Sequence, residues 1–472
     1  MEEYDYVAIG AGAAGFAFAV KLWELTNGAA RIAMINWGRL GGTCVNVGCV
    51  PSKYLIERAN LFYEGRRNRH AGLNVSTTID FEAVMEDLRR TIDRLRSEKY
   101  EEVIRSLEGV ELINGRAMFD TDGSLVVDLG GETFRIRGRR YLVATGSRPF
   151  IPSIEGLEEG RYLTTDNIWS LTRRVSSLLV IGTGAVGVEI GQALNRLGVE
   201  VMMVEVLDRV LPGLDPEISS LMEKVLREEG VKIYTKSRIA RVMGHDGVKR
   251  VEIITGEGKK LVEAEEILVA AGRAPNTAGL GLERVGVKTD RRGFILVDEY
   301  MQTSNSNIYA AGDVVSKRLM LETLAAREGV IAAVNMLGGS ETIDYQSAPL
   351  VVFADPQIMT VGYTEEESVQ RFGSCSCRVV KLSELPKASL TGDKDGLAKI
   401  VTDPASGKVL GFHVASPNAA ELALAASIMV SRGYTIEDVV RSCPAFPTFS
   451  ELLKLAAVGY LRPISRMPCC ME

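Results

Sequence analysis

The chain has 472 residues, 46% of them hydrophobic and 25% charged, which is typical of a globular protein with roughly three domains of about 150 residues. A net charge of -6 gives no reason to expect binding to nucleic acid or to an anionic membrane. No apolar run reaches the ~18 residues of a transmembrane helix, and the acidic first residues lack the basic segment of a signal peptide. We therefore expect a cytoplasmic protein, in a reducing compartment where clustered cysteines are more often catalytic or metal-binding than structural.

A first glycine-rich turn follows a short apolar strand at residues 4–9. The sequence GAGAAG (residues 10–15) lies between this strand and an alanine-rich helix that we predict to end near Asn27. Such glycines permit a tight turn and let a pyrophosphate approach the helix N-terminus. The next strand ends at Asn36, where an acidic residue usually binds the ribose hydroxyl groups, so Asn36 is expected to bind them more weakly.

The same unit recurs in SLLVIGTGAVGVEIGQALNRLGVEVMMVE, with glycines at 182, 184 and 187. Its second strand ends at Glu205, close to the expected spacing of about 20 residues. A carboxylate there favours free ribose hydroxyls and repels a 2′-phosphate, which predicts NADH, although Arg209 leaves NADPH open. Two such turns predict two bound dinucleotides.

The segment TSNSNIYAAGDVV places Asp313 after another glycine turn, which indicates that the second unit interrupts the first. The crossovers would be residues 143–152 and 269–277, each with a glycine turn and then a proline. The predicted fold class is α/β, with two Rossmann-like dinucleotide-binding domains and a C-terminal α+β domain. The predicted domains are residues 1–150 and 275–345 for the first nucleotide, 151–274 for the second, and 346–472 for the C-terminal domain.

The segment GGTCVNVGCVPSK contains two cysteines five residues apart, Cys44 and Cys49. A regular helix would separate them by about 7.5 Å along its axis, too far for a disulfide. If they are redox partners, the link between them is irregular, which Gly48 permits. Pro51 and Ser52 suit the start of a following helix, whose N-terminus would lower the pKa of Cys49. The alternative is a pair of buried structural thiols.

Together, the segments GAGAAG, GGTCVNVGCVPSK, ATGSRP, GTGAVGVE, AAGRAPN and AAGDV resemble the pyridine nucleotide–disulfide oxidoreductases, the flavoprotein family of glutathione reductase, dihydrolipoamide dehydrogenase and mercuric reductase. The similarity runs over almost the whole chain. It implies FAD in the first site, NADH or NADPH in the second, and a homodimer whose active sites are shared between subunits through the C-terminal domain. Electrons would pass from the nicotinamide through the flavin to the cysteine pair, with Cys49 against the flavin and Cys44 towards the substrate.

The resemblance also assigns roles to individual residues. Lys53 and Glu189 match an ion pair beside the flavin, Asp313 would bond the ribityl chain, and Thr43 and Ala117 would contact FAD. The residues expected to bind the two cofactors are Gly10, Gly12, Ala14, Gly15, Asn36, Gly42, Thr43, Lys53, Ala117, Thr145, Gly146, Asp313, Gly182, Gly184, Gly187, Glu205 and Gly272.

The C-terminal segment CPAFPTFSELLKLAA departs from the family members that act on disulfides. Those members carry a histidine that serves as general acid and base and is oriented by a glutamate, because an expelled thiolate must be protonated. Here the glutamate is Glu451, but Phe446 occupies the histidine position and has no proton to give. His413, in the strand-like LGFHVAS, is expected to be structural. The substrate should therefore need no proton for its leaving group.

The sequence ends RMPCCME, with two adjacent cysteines. They are poorly placed to cross-link with each other, so they are either incidental thiols of a frayed terminus or ligands for a soft metal ion. This ending, with VVFADPQIMTVGYTEEE and LSELPKA, is similar to the mercuric reductases within the family. The resemblance implies that Cys469 and Cys470 of one subunit pass Hg(II) to Cys44 and Cys49 of the other, where two electrons produce Hg(0). The expected catalytic residues are those four cysteines, which are also the metal ligands, with Lys53 and Glu189.

Two other functions stay open. A dihydrolipoamide dehydrogenase-like enzyme is favoured by Glu205 and opposed by Phe446. A non-catalytic, metal-sequestering flavoprotein would have to explain why the cysteine pair and the ion pair are both present.

Four other expectations concern packing. Cys375 and Cys377 would lie on one face of a strand, either as a second metal site or as incidental surface thiols. Cys443 is predicted to be buried. Residues 81–107 are predicted to form one solvated helix, and the apolar helix at 419–433 is a candidate for dimer packing.

Overall fold

The computed structural model of the chain describes residues 1–67, 71–244, 247–317 and 319–464. Cys469 and Cys470 lie outside the described residues. The chain divides into two compact units. Unit 1 consists of Met1–Ser52, Glu86–Phe150 and Gly272–Tyr345, and unit 2 consists of Lys53–Met85, Ile151–Ala271 and the chain from Gln346 onwards. The finer division into domains stays a prediction.

Helices and strands alternate along most of the chain. The helices are α1 (Ala13–Leu25), α2 (Gly42–Val47), α3 (Cys49–Arg67), α4 (Phe81–Arg96), α5 (Glu102–Arg105), α6 (Ala185–Arg196), α7 (Pro216–Glu228), α8 (Glu322–Met336), α9 (Glu365–Phe372), α10 (Pro386–Thr391), α11 (Ala419–Ser431), α12 (Ile436–Val440) and α13 (Glu451–Val458). The strands are β1 (Glu2–Ile9), β2 (Ile32–Asn36), β3 (Val110–Asn114), β4 (Arg116–Phe119), β5 (Leu125–Asp128), β6 (Thr133–Val143), β7 (Ser147–Pro149), β8 (Ser177–Ile181), β9 (Glu200–Val204), β10 (Lys232–Tyr234), β11 (Arg238–Met243), β12 (Lys249–Thr255), β13 (Gly258–Ala264), β14 (Glu266–Val269), β15 (Arg273–Pro275), β16 (Ile308–Ala310), β17 (Leu350–Val352), β18 (Gln357–Gly362), β19 (Ser376–Lys381), β20 (Leu397–Thr402) and β21 (Val409–Ser416).

Unit 1 is built on a mixed sheet of order β3-β2-β1-β6-β5-β4, with β16 paired to β6. Strands β1, β2, β3, β6 and β16 run parallel, and Ala8 of β1 lies opposite Met34 of β2 and Leu142 of β6. Central residues of this sheet, such as Val7, Ala8 and those from Ile32 to Ile35, are apolar and buried because other elements cover the sheet. Phe18 and Leu22 of α1 are buried in the same hydrophobic cluster as Met34 and Leu142.

The parallel arrangement positions the predicted site. The carboxyl ends of parallel strands meet at one edge of a sheet, where such folds bind their ligands. Gly10 follows β1, Asn36 ends β2, Thr145 follows β6, and Asp313 follows β16. The sheet therefore brings these four residues, which span 304 positions of sequence, to the same edge.

The two predicted crossovers are joined in unit 1. Strand β7 pairs with β15 in antiparallel fashion, with Ser147 opposite Pro275. Thr145 Oγ1 donates to Asn276 O at 2.8 Å, and Asn276 Nδ2 donates back to Thr145 O at 3.0 Å. The chain thus leaves and re-enters unit 1 at the two crossover segments, and the interrupted arrangement is confirmed.

Unit 2 contains a parallel sheet of order β10-β9-β8-β14, an antiparallel sheet β11-β12-β13, and an antiparallel sheet β17-β18-β21-β20-β19. The first two share a core that includes Leu179, Met202 and Ile253. The last sheet packs against α11 and α13 around Phe412 and Leu452. These sheets agree with the predicted second Rossmann-like unit and the α+β region at the C-terminus.

The helical conformation expected over 81–107 is observed from Phe81 to Arg105, although it is not one regular α-helix. Helix α4 ends at Arg96, Ser97–Glu101 form a π-helical turn, and α5 follows directly. The turn carries Tyr100, whose ring packs edge-on against Phe16 with centroids 5.0 Å apart, so core packing accompanies the π-helical turn. One local prediction was wrong. Cys443 is exposed rather than buried, because it lies in the irregular segment between α12 and α13. Within the described part of the chain, no helix has both the length and the apolar character needed to cross a membrane.

Candidate active site

The first glycine turn has the geometry of an anion-binding helix start. Gly10 has φ +112°, and a Cβ there would lie 2.2 Å from the carbonyl oxygen of Ala144. A Cβ on Gly15 would lie 1.9 Å from Gly10 O, so both positions exclude a side chain for packing reasons. Gly12 differs, because a Cβ there would meet, among the described residues, only the Cα of Gly42, at 3.6 Å. No side chain caps α1 at Gly12, so its first N–H groups are available to a phosphate.

The surrounding residues complete a cradle for a dinucleotide. Gly42 has φ +68°, and a Cβ there would lie 2.7 Å from the Cα of Gly12. Ala14 is buried where α8 approaches, since a Cβ on Gly329 would lie 2.2 Å from Ala14 O. Thr43 is in the first turn of α2, and Ala117 is buried in β4.

Asn36 is buried at the end of β2, and its Nδ2 donates to Gly38 O at 2.9 Å. A ribose hydroxyl would therefore have to donate to the remaining amide oxygen, Oδ1. Asn36 is in the predicted position, but the nitrogen of its side-chain amide is already hydrogen-bonded to the adjoining loop.

On the other side of the cradle, Asp313 Oδ2 accepts from Ser147 Oγ at 3.1 Å and lies 3.9 Å from Arg273 Nε. Gly146 and Gly272 adopt left-handed conformations, with φ +68° and φ +114°, at the two crossovers. The residues of unit 1 fit a bound FAD, because they combine an uncapped helix start, close-approach glycines and an oriented carboxylate.

The second glycine turn, in unit 2, repeats this geometry. A Cβ on Gly182 would lie 2.6 Å from Ala270 O, and one on Gly187 would lie 2.1 Å from Gly182 O. Among the residues that the structure describes, a Cβ on Gly184 would meet no heavy atom within 4 Å, and no side chain caps α6 there. The turn fits a second dinucleotide.

Glu205 is buried directly after β9, at its predicted position. Its Oε2 accepts from both the N–H and the hydroxyl of Thr183 at 2.9 Å, and its Oε1 accepts from Leu207 N at 3.0 Å. Arg209 Nε lies 3.2 Å from Asp208 Oδ1. Glu205 therefore also fixes the glycine turn, a structural role that the sequence did not reveal.

Lys53 and Glu189, both in unit 2, form the ion pair that the resemblance implied, with Nζ and Oε2 2.8 Å apart. The Glu189 side chain is only 5% exposed, and its Oε1 accepts from Phe353 N at 2.8 Å. Lys53 Nζ also lies 4.6 Å from the centre of the Phe353 ring. Without Lys53, the buried Glu189 carboxylate would keep its negative charge but lose its positively charged partner. The two residues are therefore expected to depend on each other for stability.

The cysteine pair lies in unit 1 at the junction of α2 and α3. Helix α2 ends at Val47, Gly48 leaves the helical conformation with φ −115° and ψ −108°, and Cys49 begins α3. This is the irregular link that the spacing of the cysteines required. Cys44 and Cys49 are thiols rather than a disulfide. Their Sγ atoms and a carboxylate oxygen of Glu322 all lie within 4.8 Å of one another.

Glu322, the first residue of α8, was missed by the sequence analysis. Its carboxylate accepts a hydrogen bond from Cys44 Sγ, and Tyr100 Oη lies 3.4 Å from its other oxygen. Its position in the chain could have indicated a site residue. Helix α8 follows β16 and so begins near the nucleotide-binding edge of the sheet. A metal ion bound by the two sulfurs would find a third ligand in this carboxylate.

Protonation of Cys44 depends on this cluster. A hydrogen bond with Cys49, then burial, and then the Glu322 carboxylate raise the pKa of the Cys44 thiol. Burial and the same carboxylate also raise the pKa of Tyr100. At neutral pH the Cys44 thiol therefore keeps its proton.

Helix α2 is held in place by a buried amide. Asn46 Nδ2 donates to Leu40 O and to Gly42 O, both at 2.8 Å, and Arg96 Nη1 donates to Asn46 Oδ1 at 3.0 Å. Because all three bonds converge on one side chain, the position of the Cys44 helix is well defined.

The C-terminal segment shows no acid–base pair in the described residues. Glu451 Oε1 accepts from Thr448 N at 2.8 Å, and the Phe446 ring is half exposed. His413 is buried between Thr360, Tyr363 and Asp215 in the C-terminal sheet, and burial lowers its pKa. His413 is structural, as predicted, and the described part of the chain provides Glu451 with no imidazole.

Comparison with known families matches residues 4–329 to the pyridine nucleotide-disulphide oxidoreductases and residues 348–457 to the dimerisation domain of that family. The chain belongs to this family. The predicted fold class is thereby confirmed, and membership implies the use of FAD and NAD(P)H.

The relatives that resemble this chain include both mercuric reductases and a dihydrolipoyl dehydrogenase. The chain is 36% identical over 471 residues to a mercuric reductase of Lysinibacillus sphaericus, covering 99% of this chain and 85% of the relative. It is 34% identical over 479 residues to the mitochondrial dihydrolipoyl dehydrogenase of Pisum sativum, covering 98% of this chain and 93% of that enzyme. The crystal structure of LpdA from Mycobacterium tuberculosis superimposes with a TM-score of 0.86 at 29% sequence identity. The superposition covers 98% of this chain and 100% of the LpdA chain. The predicted resemblance to mercuric reductases is confirmed.

Proposed function

We propose that this oxidoreductase reduces Hg(II) to Hg(0) with NAD(P)H, and so detoxifies mercury. The reaction balances as Hg(II) plus NAD(P)H giving Hg(0), NAD(P)⁺ and one proton. The observation that carries the proposal is the cluster of two thiol sulfurs and one carboxylate oxygen within 4.8 Å, formed by Cys44, Cys49 and Glu322. Two sulfurs make this a donor set suited to a soft cation.

The cofactors would be held by the glycine turns. FAD would lie at the start of α1, near Thr43 and Asp313, with the Lys53–Glu189 pair beside its ring. The nicotinamide dinucleotide would lie at the start of α6, and Glu205 favours NADH over NADPH there. When bound, the two cofactors supply the electron pair that the metal ion accepts.

Metal capture would displace protons from the thiols. A protonated cysteine loses its proton on forming a metal–thiolate bond, since the thiolate is the ligand. The raised pKa of Cys44 means that this proton is present when the metal arrives. The Glu322 carboxylate already accepts a hydrogen bond from Cys44 and is placed to receive the proton.

Phe446 favours a metal substrate over a disulfide. Breaking a disulfide expels a thiolate that needs an acid, whereas Hg(0) leaves without a proton. The Phe446 side chain cannot supply that proton. It also has no hydroxyl group with which to bind the metal, so the proposed metal ligands do not include it.

Cys469 and Cys470 would capture Hg(II) from solution and pass it to the Cys44–Cys49 pair of a second subunit. The match to a dimerisation domain supports the homodimer, as do Leu424 and Ile428, apolar residues of α11 that are 71% and 46% exposed in the single chain. A reducing cytoplasm would keep the four thiols available.

A second candidate is a dihydrolipoamide dehydrogenase-like activity. The 34% identity to the Pisum sativum enzyme, over nearly the full length of both chains, favours it. A third, stoichiometric sequestration of metal without turnover, would require the same cysteines but no reductant.

Anaerobic oxidation of NADH and NADPH distinguishes these functions. The flavin-loaded protein is given thiol-buffered Hg(II), lipoamide or glutathione disulfide, and Hg(0) vapour is measured alongside coenzyme oxidation. We expect oxidation coupled to Hg(0) release, with NADH preferred. Rapid turnover on a disulfide without any on Hg(II) would establish the second candidate, and binding without oxidation the third.

The terminal cysteines have a matched control. Changing Cys469 and Cys470 to Ala should spare flavin reduction by NADH and slow Hg(II) reduction from a thiol buffer. Cys443→Ala, an exposed cysteine outside the proposed path, should change neither rate. An unaltered Hg(II) rate in the double variant would remove the terminus from the mechanism.

A further inference from the structure

A second thiol pair lies in the C-terminal sheet of unit 2. Cys377 is the second residue of the edge strand β19, and Cys375 immediately precedes that strand. Their Sγ atoms are 3.4 Å apart, and both residues are partly buried. The predicted placement of the two side chains on one face of the strand is therefore observed.

A carboxylate completes this cluster. Glu365 is the first residue of α9, which begins with a capping box at Thr364 and ends at Gly373 in a left-handed conformation with φ +81°. The chain then returns so that a Glu365 carboxylate oxygen and the two sulfurs lie within 4.8 Å of one another. Cys375 Sγ is also 3.9 Å from Glu365 O.

We propose that Glu365, Cys375 and Cys377 bind one thiophilic divalent cation with a filled d shell, of which Zn(II) is the representative. Two thiolates and a carboxylate are ligands that zinc accepts, and a fourth position would be open to water. None of these residues belongs to the proposed reduction path, so the site does not depend on that activity.

The separation of the sulfurs favours a tetrahedral ion. Zinc–sulfur bonds of about 2.3 Å place two sulfurs of a tetrahedron roughly 3.8 Å apart, whereas a linear ion with similar bonds would need about 4.6 Å. The observed 3.4 Å is closer to the tetrahedral value and requires only a small rotation of the side chains. A disulfide would need about 2.05 Å and a larger approach.

The backbone between the two cysteines is anchored. The carbonyl oxygen of Ser376 accepts hydrogen bonds from Tyr460 Oη at 2.6 Å and from Thr402 Oγ1 at 3.1 Å. Because this carbonyl belongs to the residue between the cysteines, the orientation of the pair is set before any metal binds.

A buried cation adjoins the cluster. Lys399 Nζ lies 2.6 Å from Glu365 Oε2 and 2.9 Å from both Asp215 and Glu217. Its side chain is 1% exposed. Lys399 lies on the same sheet face as Cys377, since Cys377 pairs with Val401 and Val379 with Lys399. Its positive charge, next to Glu365, would partly offset the negative charge of two thiolates.

Zinc stoichiometry tests the site in the full-length, flavin-loaded protein. In a background where Cys44, Cys49, Cys469 and Cys470 are all changed to Ser, we expect one zinc ion per chain after dialysis against a zinc buffer. Changing Cys375 and Cys377 to Ser in this background should reduce the content to zero. The zinc X-ray absorption spectrum of the background protein should show two sulfurs at about 2.3 Å with nitrogen or oxygen neighbours. Unchanged zinc content, or a spectrum without sulfur, would overturn the proposal.

Two further measurements keep the test independent of folding. Glu365→Gln should weaken zinc affinity at least roughly tenfold, whereas Glu366→Gln, at the exposed neighbouring carboxylate, should leave it unchanged. In the unmodified chain, zinc should protect Cys375 and Cys377 from alkylation by iodoacetamide while Cys443 stays reactive. Equal alkylation of all three with and without zinc, or a Cys375–Cys377 disulfide in the reduced preparation, would contradict the site.

Discussion

The carboxylate of Glu322 accepts a hydrogen bond from the thiol of Cys44, although 278 residues separate them in the sequence. The contact places a negative charge beside a partly buried sulfur that also shares a hydrogen bond with the Cys49 thiol. A second negative charge, the Cys44 thiolate, is therefore disfavoured. In the proposed function, this cluster would exchange the Cys44 proton for a metal ion.

Replacing Glu322 by Gln should make Cys44 more acidic. Removal of the adjacent charge lowers the raised pKa of the thiol, so the thiolate fraction at a given pH increases. The pH profile of Cys44 alkylation by iodoacetamide, followed by peptide mass spectrometry, should shift to lower pH. The shift will be partial, because the larger effect of the Cys49 hydrogen bond remains. Glu132→Gln, at an exposed carboxylate of the same unit, should leave the pH profile unchanged. A shift to higher pH in the Glu322 variant would show that the Glu322 carboxylate does not raise the pKa of Cys44.

Two glycines of the second turn should respond differently to Ala. A Cβ on Gly187 would lie 2.1 Å from Gly182 O, so Gly187→Ala should destabilise the protein by about 1–3 kcal/mol. In the described part of the chain, the added methyl group of Gly184→Ala would meet no atom within 4 Å, so the free energy of unfolding of this variant should change by less than about 1 kcal/mol. Its affinity for NADH should nevertheless fall at least roughly tenfold, because the methyl group occupies the approach of the pyrophosphate. Thermal melting and the NADH dependence of flavin reduction measure the two effects, and equal affinities in Gly184→Ala and the parent would place the dinucleotide elsewhere.

The Lys53–Glu189 pair should be coupled in both stability and redox behaviour. Lys53→Met leaves the buried Glu189 carboxylate with the Phe353 N–H as its one donor among the described residues. The free energy of unfolding measured with urea should therefore fall by about 2 kcal/mol. Adding Glu189→Gln should recover part of that loss, which a double-mutant cycle quantifies. If the pair lies beside the flavin, Lys53→Met should also make the flavin potential more negative by about 30 mV, the equivalent of about 1.4 kcal/mol. An unchanged potential would separate the ion pair from the cofactor.

Lys399 should be among the most sensitive charged residues of unit 2. Lys399→Met leaves Asp215, whose side chain is 1% exposed, without its ammonium partner, so a loss of about 3–5 kcal/mol is expected. Lys394→Met, at an exposed lysine, should cost less than about 0.5 kcal/mol. Comparing the thermal melting of the two flavin-loaded variants checks this prediction, and similar melting temperatures would show that the cluster contributes little to stability.

Several features were predictable because their physics is local. A strand, a glycine turn and a helix follow one another within about 20 residues in each Rossmann-like unit, so spacing alone identified residues 10–15 and the glycines at 182, 184 and 187. Gly48 was recognised as a break because two cysteines five apart cannot meet in a regular helix. The Lys53–Glu189 contact, by contrast, came from family resemblance, since nothing in the local sequence pairs two residues 136 positions apart.

Local reasoning failed where packing decided the outcome. The helical spacing of apolar residues over 81–107 could not reveal the π-helical turn that carries Tyr100 and brings it against Phe16. The segment around Cys443 contains apolar neighbours but forms no element that could bury it. Likewise, the orientation of Glu205 towards Thr183 depends on the pairing of two parallel strands.

The amino-acid sequence by itself determined the family, the two nucleotide turns, the thiol pair and the absence of an acid at Phe446, because each is written in short spacings and residue types. Only the tertiary structure decided which charges stand beside the sulfurs. Glu322 meets Cys44 because β16 pairs with β6 in the sheet that β1 and β2 extend, and Glu365 meets Cys375 and Cys377 because the chain folds back after α9. Contacts of this kind follow from strand register and buried area, which no single stretch of sequence encodes.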